Sequence, residues 1–319
     1  MKQILKIISI FILASCQTLG FTQEDPNAPV KLDLNYESFM SESWTNKAEI
    51  PLINFNFFDE NIESEMFFDL NGTTVFAVNK NQLVLTNYDS GQILKNFELE
   101  TSRIISGVSV GYNTFLYADA DGIIYAHDSN SGELKWTKAL EDVVLSEILI
   151  TSTAVYVQTS SDVLYGLDLQ NGETQWSKKA QAPLLSIRGT ASPITFEGLI
   201  FTSFSNGRLA AVREVDGIQL WEKPISRLKG STELEKLMDA DSKAVPINED
   251  IFVANYNGSL TRFNIRNGEK VFSVDHSTLK PIILYKSTIT SINTDQEIIG
   301  FNAINGTEIW RSQKFKNRD

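Results

Sequence analysis

Residues Asp121 to Trp136 read DGIIYAHDSNSGELKW: a short apolar run, a polar turn closing on Gly132, and a second short run ending in Trp136. Aligned on that glycine, further copies fall at Gly91, Gly172, Gly217, Gly268 and Gly306, so successive glycines lie 41, 40, 45, 51 and 38 residues apart. A period of about 40 to 50 residues is the signature of an array of supersecondary units. Eight residues before each glycine stands a large aliphatic: Leu83, Ile124, Leu164, Leu209, Leu260 and Ile298. Two residues after it, four copies carry a small residue, Ala126, Gly166, Ala211 and Gly300, among mostly apolar neighbours. A strand alternates its side chains, so apolar residues on both of its faces imply a sheet packed between two others. Four residues after the glycine comes an aromatic, as Trp136, Trp176, Trp221, Phe272 and Trp310; the first copy has Lys95 there and Phe97 two places on. An indole buried at a fixed place in every unit removes roughly 200 Å² from water and is expected to fill the seam between neighbouring units. The pattern predicts an all-β fold, a radial β-propeller of antiparallel four-stranded blades, six of them between about residues 50 and 312.

The N-terminus reads as an address. Lys2 and Lys6 flank an apolar run, Ile7 to Ala14, too short to span a bilayer, which takes about 20 apolar residues. Residues 1–15 are therefore expected to be a signal peptide. Leu13-Ala14-Ser15-Cys16 is similar to the lipobox of bacterial lipoproteins, and Cys16 is the only cysteine, so it is the expected lipidation site, with Gln17 directing the chain to the outer membrane. Residues 16–35, polar with Pro26 and Pro29, read as a flexible tether, and residues 36–319 as the propeller domain. WTNKAE around Trp44 is similar to the last strand of a repeat without its earlier strands. Such a strand expects partners at the C-terminus, where only RSQKFKNRD follows Trp310; the ring is expected either to close with six blades or to stay open.

Composition limits the partners. Twenty-eight Lys and Arg against 40 Asp and Glu give a net charge of −12, the opposite of the basic face that nucleic acid requires, and anionic lipid repels the chain as well, leaving the lipid anchor to hold it at the membrane. The two histidines, His127 and His276, are remote from one another and read as packed residues. No cysteine or histidine cluster has metal-ligand spacing, and there is no glycine-rich phosphate loop. Asp89, Asp128 and Asp168 lie near the turns and read as turn formers. No catalytic constellation can be assembled, so no cofactor and no enzyme activity are expected.

Two connections break the repeat. Lys178 to Pro193, KKAQAPLLSIRGTASP, places Leu184, Leu185 and Ile187 beside Arg188; Glu222 to Pro246 holds the extra length before Gly268, with a capping-box spacing at Thr232 to Glu235 that predicts a short helix to about Met238. The repeat with its closing Trp is similar to the quinoprotein-type propeller repeat. The segments LLSIRGTASP (184–193), NGRLAAV (206–212), GSTELEKLMDADS (230–242) and ANYNGSLTRFNIRNGEKVF (254–272) together resemble the BamB family of outer-membrane β-barrel assembly lipoproteins. That resemblance implies an eight-bladed propeller without cofactor that scaffolds the insertase BamA by binding its periplasmic POTRA region, with unfolded outer-membrane proteins as further partners. Against it, the chain is expected to end about two blades early. The partner surface it implies is Leu185, Ile187 and Arg188 in the first irregular segment with Asp239 and Asp241 in the second; Arg188 either reaches the partner or ties down one of the two aspartates. The competing readings are a quinoprotein dehydrogenase on the same fold and a lipoprotein binding module with another partner.

Overall fold

The computed structural model describes residues 67–180, 191–226 and 242–316. Among these residues there are 24 strands and no helix, arranged as six four-stranded sheets, each a meander of sequence-consecutive antiparallel strands. The first sheet runs from Phe67–Asn71 to Ile93–Glu98 and the sixth from Ile283–Tyr285 to Glu308–Ser312. Trp44 and the helix expected to Met238 fall outside the described residues.

The periodic turn links the third and fourth strands of every sheet. All six turn glycines have φ between 66° and 79°, a region open to glycine and costly for residues with a Cβ. Each donates its amide to the carbonyl four residues earlier at 2.8–3.0 Å. Asn87, Asp128, Asp168, Asn264 and Asn302 sit at that earlier position and accept the amide two residues on through Oδ1 at 2.8–3.1 Å, an Asx turn. The amides of Ser131 and Asn130 hold the Asp128 carboxyl below its usual range. Asp128 and Asp168 thus form turns as expected, but Asp89 does not: its own amide is accepted by Asn87, which occupies the equivalent place. In the fourth sheet Arg213 stands there, and Asp216 takes over, accepting from Arg213 Nε at 2.8 Å and from the Ile218 amide at 3.2 Å.

The small residue on the third strand has a packing reason. Ala126, Gly166, Ala211 and Gly300 pair directly with Trp136, Trp176, Trp221 and Trp310 of the fourth strand, and a Cβ on Gly166 would come within 2.5 Å of the Trp176 ring. In all six sheets the register slips at this point, a bulge between Leu85/Thr86, Ala126/His127, Gly166/Leu167, Ala211/Val212, Arg262/Phe263 and Gly300/Phe301. A bulge re-aims side chains, and here it recurs where each indole crosses its strand.

Five seams follow, each with its own apolar cluster drawn from two successive sheets. The closing aromatic of one sheet lies on the turn glycine of the next: Phe97 on Gly132, Trp136 on Gly172, Trp176 on Gly217, Trp221 on Gly268 and Phe272 on Gly306. Phe97 thus takes the place that Lys95 holds in sequence. A donor accompanies each aromatic. The indoles of Trp136, Trp176 and Trp221 donate to the carbonyls of Leu169, Glu214 and Ile265 at 2.8–3.1 Å, three residues before the glycine. Phenylalanine has no N–H, and in those two seams a cation supplies it: Arg262 donates to Ala303 O (3.1 Å) and Ile304 O (2.9 Å), and Lys95 to Asn130 O. Trp310 ends the series. It is 41% exposed, against 7% for Trp136 and Trp221, and among the described residues its indole N–H has no partner. Ile283 and Tyr285, on the first strand of the same sheet, are exposed, as are Phe68 and Leu70 on the first sheet, so among the described residues these two sheets present uncovered apolar side chains where the five seams are covered.

Both histidines are packed, as expected. His127 stacks on Phe115 at 4.7 Å and lies 3.2 Å from both the Tyr117 hydroxyl and Glu100 Oε2; Tyr117 donates to that carboxylate at 2.6 Å, and burial, with the Glu100 bond, pushes the phenol far above its ordinary range. His276 is buried against Phe301, with Nε2 2.9 Å from Ser291 Oγ. Burial, helped by the positive charge of Arg311, pushes its pKa down to about 4. An imidazole in the unfolded chain takes its proton near pH 6.5. Between these values the unfolded state binds more protons, so the stability is fully present above about pH 6.5 and is lost as pH falls through about 4. His276→Gln should remove this dependence: between pH 7.5 and 4.5 the wild type should lose roughly 2–3 kcal/mol more than the variant in urea unfolding, and parallel losses would overturn the assignment.

Candidate partner-binding rim

Each sheet is a four-stranded antiparallel meander whose first strand, or the residues just before it, lines a shared cavity, so every connection to the next sheet returns to that cavity on one end of the molecule. Both irregular segments are connections of this kind. One follows the strand Thr174–Lys179 and leads to Ile194–Phe196; the other follows Gln219–Pro224 and leads to Val245–Ile247. They bracket the fourth sheet and so emerge on the same end, one sheet apart.

The described ends of these segments are firmly held. Before the first, Ala180 donates its amide to Asp162 O at 3.0 Å, and Asp162, itself buried, accepts the Ser205 amide at 3.0 Å and the Ser205 hydroxyl. Gln158 Nε2 donates to Ser203 O at 2.9 Å, so the third and fourth sheets are joined by buried polar contacts as well as apolar ones. Before the second, the Ile225 carbonyl accepts from Thr261 Oγ1 (2.8 Å) and Lys270 Nζ (3.1 Å), and the Ser226 hydroxyl donates to Asn255 Oδ1 at 2.6 Å. Buried groups left unpaired are costly, so this network fixes where each segment leaves the scaffold. Leu185, Ile187, Arg188, Asp239 and Asp241 lie outside the described residues, as does Cys16.

The same end opens into an axial cavity of about 280 Å³. Every sheet, or the segment leading into it, contributes to the wall, for example through Phe68, Val108, Glu147, Ser192, Lys243 and Pro281. The six sheets therefore surround one axis, and the residues just after both irregular segments, Ser192 and Lys243, stand on its rim. Lys243 Nζ meets Glu147 Oε2 at 2.9 Å, joining the entries to the third and fifth sheets across the axis. Sequence reading missed this pair: its members are 96 residues apart and belong to connections that do not repeat. Among the described residues no group of three or more His, Cys, Asp or Glu side chains is placed to hold a metal ion.

Six repeated sheets about an axial cavity, joined by aromatic-on-glycine seams, define a propeller of the quinoprotein repeat class. The profile of the family described as outer membrane protein assembly factor BamB matches residues 79–312, and the chain belongs to that family. The outer membrane protein assembly factor BamB of Yersinia pestis is 25% identical over 259 residues, covering 78% of this chain and 66% of that protein, so the chain spans just under two thirds of the relative's length. Among solved structures, BamB from Moraxella catarrhalis superposes with a TM-score of 0.72 at 24% identity, over 78% of this chain and 76% of that one. The quinohemoprotein alcohol dehydrogenase from Comamonas testosteroni gives 0.54 at 15% identity, over 66% and 43%. At such identities the structural likeness concerns the fold.

Proposed function

We propose that this protein is a non-catalytic scaffold of outer-membrane β-barrel assembly, lipid-anchored through Cys16 at the periplasmic face of the outer membrane. It binds the POTRA region of BamA, and unfolded barrel proteins pass in its company. Membership of the BamB family carries this reading: relatives of the same repeat bear the name outer membrane protein assembly factor. The partner surface we assign is Leu185, Ile187 and Arg188 with Asp239 and Asp241, because both segments leave the scaffold on one rim from anchored ends. An aliphatic pair beside a guanidinium supplies apolar contact together with a bidentate donor, the makings of an interface hot spot. The dehydrogenase reading gains nothing from a likeness confined to fold.

The test is capture of the POTRA domains of BamA by the purified protein and by Leu185→Ala and Arg188→Ala. Each substitution should weaken binding by about 1–2 kcal/mol with unchanged unfolding midpoints, and wild-type affinity in both would remove this surface. Mass spectrometry of membrane-extracted protein should find an acylated Cys16, with Cys16→Ser leaving the membrane fraction; an unacylated cysteine would refute the anchor.

A further inference from the structure

The axial cavity is more than a gap between sheets. Phe68, Val108, Leu145 and Pro281 make part of its wall apolar, whereas Glu147 and Lys243 give it one charge of each sign. The Glu147 and Lys243 side chains are 59% and 48% exposed, so their bond is solvent-screened, weak and readily exchanged for other partners. About 280 Å³ lies at the lower end of volumes that hold small molecules, for which apolar walls with a few convergent polar groups are the usual construction.

We propose that this cavity binds a small zwitterion, an apolar α-amino acid or dipeptide, with its ammonium on Glu147, its carboxylate on Lys243, and its side chain against Phe68 and Leu145. The charge pattern selects this class. A ligand carrying one charge would separate the pair and leave Glu147 or Lys243 without a counter-ion, whereas a zwitterion replaces one ion pair by two and leaves no charge unmatched. A phosphate or other polyanion meets a single lysine beside a carboxylate, in a chain of net charge −12, and is disfavoured on both counts. This assignment uses none of the residues proposed to meet BamA, so it stands or falls apart from that reading.

The full chain should be titrated calorimetrically with L-phenylalanine, L-leucine and the dipeptide Leu-Leu, and with phenethylamine and hydrocinnamate, which keep the ring and only one charge each. At least one zwitterion should saturate in the micromolar to low-millimolar range, with the singly charged analogues at least about tenfold weaker. Glu147→Gln and Lys243→Met should each weaken the zwitterion at least about tenfold, with far-UV spectra unchanged. Failure of every zwitterion to saturate by about 10 mM would overturn the proposal, as would equal binding of phenethylamine and phenylalanine, or wild-type binding by the Glu147 and Lys243 variants. The salt bridge would then do no more than tie the third sheet to the fifth.

Discussion

Trp221→Ala should destabilise the protein by about 3–5 kcal/mol, while Trp310→Ala, the same change at the same place in the repeat, should cost about 1 kcal/mol or less. The difference comes from the seam. Trp221 is buried, stands 5.9 Å from the Phe201 ring and 6.1 Å from Phe263, lies on Gly268, and donates to Ile265 O at 2.8 Å. Its removal leaves a cavity at the joint of the fourth and fifth sheets and an acceptor that has lost its donor. Trp310 covers Gly300 of its own sheet and, among the described residues, meets no next turn. Urea unfolding followed by far-UV dichroism measures both. Equal losses would mean that the indole acts within its own blade and that the seams are held by the strand faces alone.

What was legible in the sequence was whatever repeats. The turn glycine, the aromatic four residues later and the aliphatic eight residues earlier together specify four-stranded units, and six of them stand among the described residues. The displaced aromatic of the first copy was visible as Phe97, but its meaning was not: only the packed seam shows Phe97 on Gly132 with Lys95 supplying the N–H that phenylalanine lacks. Arg262 had no such flag. It stands where four other sheets have alanine or glycine, is held by Asp250 at 2.6 Å, and reaches the carbonyls that an indole would otherwise meet. Substitutions of one donor for another at a seam leave no trace in a hydropathy pattern, because the pattern records which residues are buried and not which hydrogen bond each makes. Asp89 shows the opposite error: an acidic residue near a turn reads as its former, whereas Asn87, amide rather than acid, performs that role. The axial pair Glu147–Lys243 was beyond reach for a third reason, since it is made by ring geometry between connections that are not neighbours in the chain.

The other side of the same seam should respond almost as strongly. Gly268→Ala is expected to cost about 2–5 kcal/mol, made up of about 1–2 for holding a residue with a Cβ at φ 66° and about 1–3 for overpacking, because that Cβ would stand 2.7 Å from the Trp221 ring and 3.0 Å from Lys223 Cγ. The first contribution belongs to the turn and the second to the joint, and a double-mutant cycle separates them. Combined with Trp221→Ala, the new methyl enters space the indole has left, so the loss attributable to Gly268→Ala should shrink to the backbone cost of about 1–2 kcal/mol. Losses that add in full would show that the glycine is required by the turn alone and that the ring merely rests on it. A sub-additive result would show that the glycine, through its missing Cβ, is the socket that sets the distance between successive sheets.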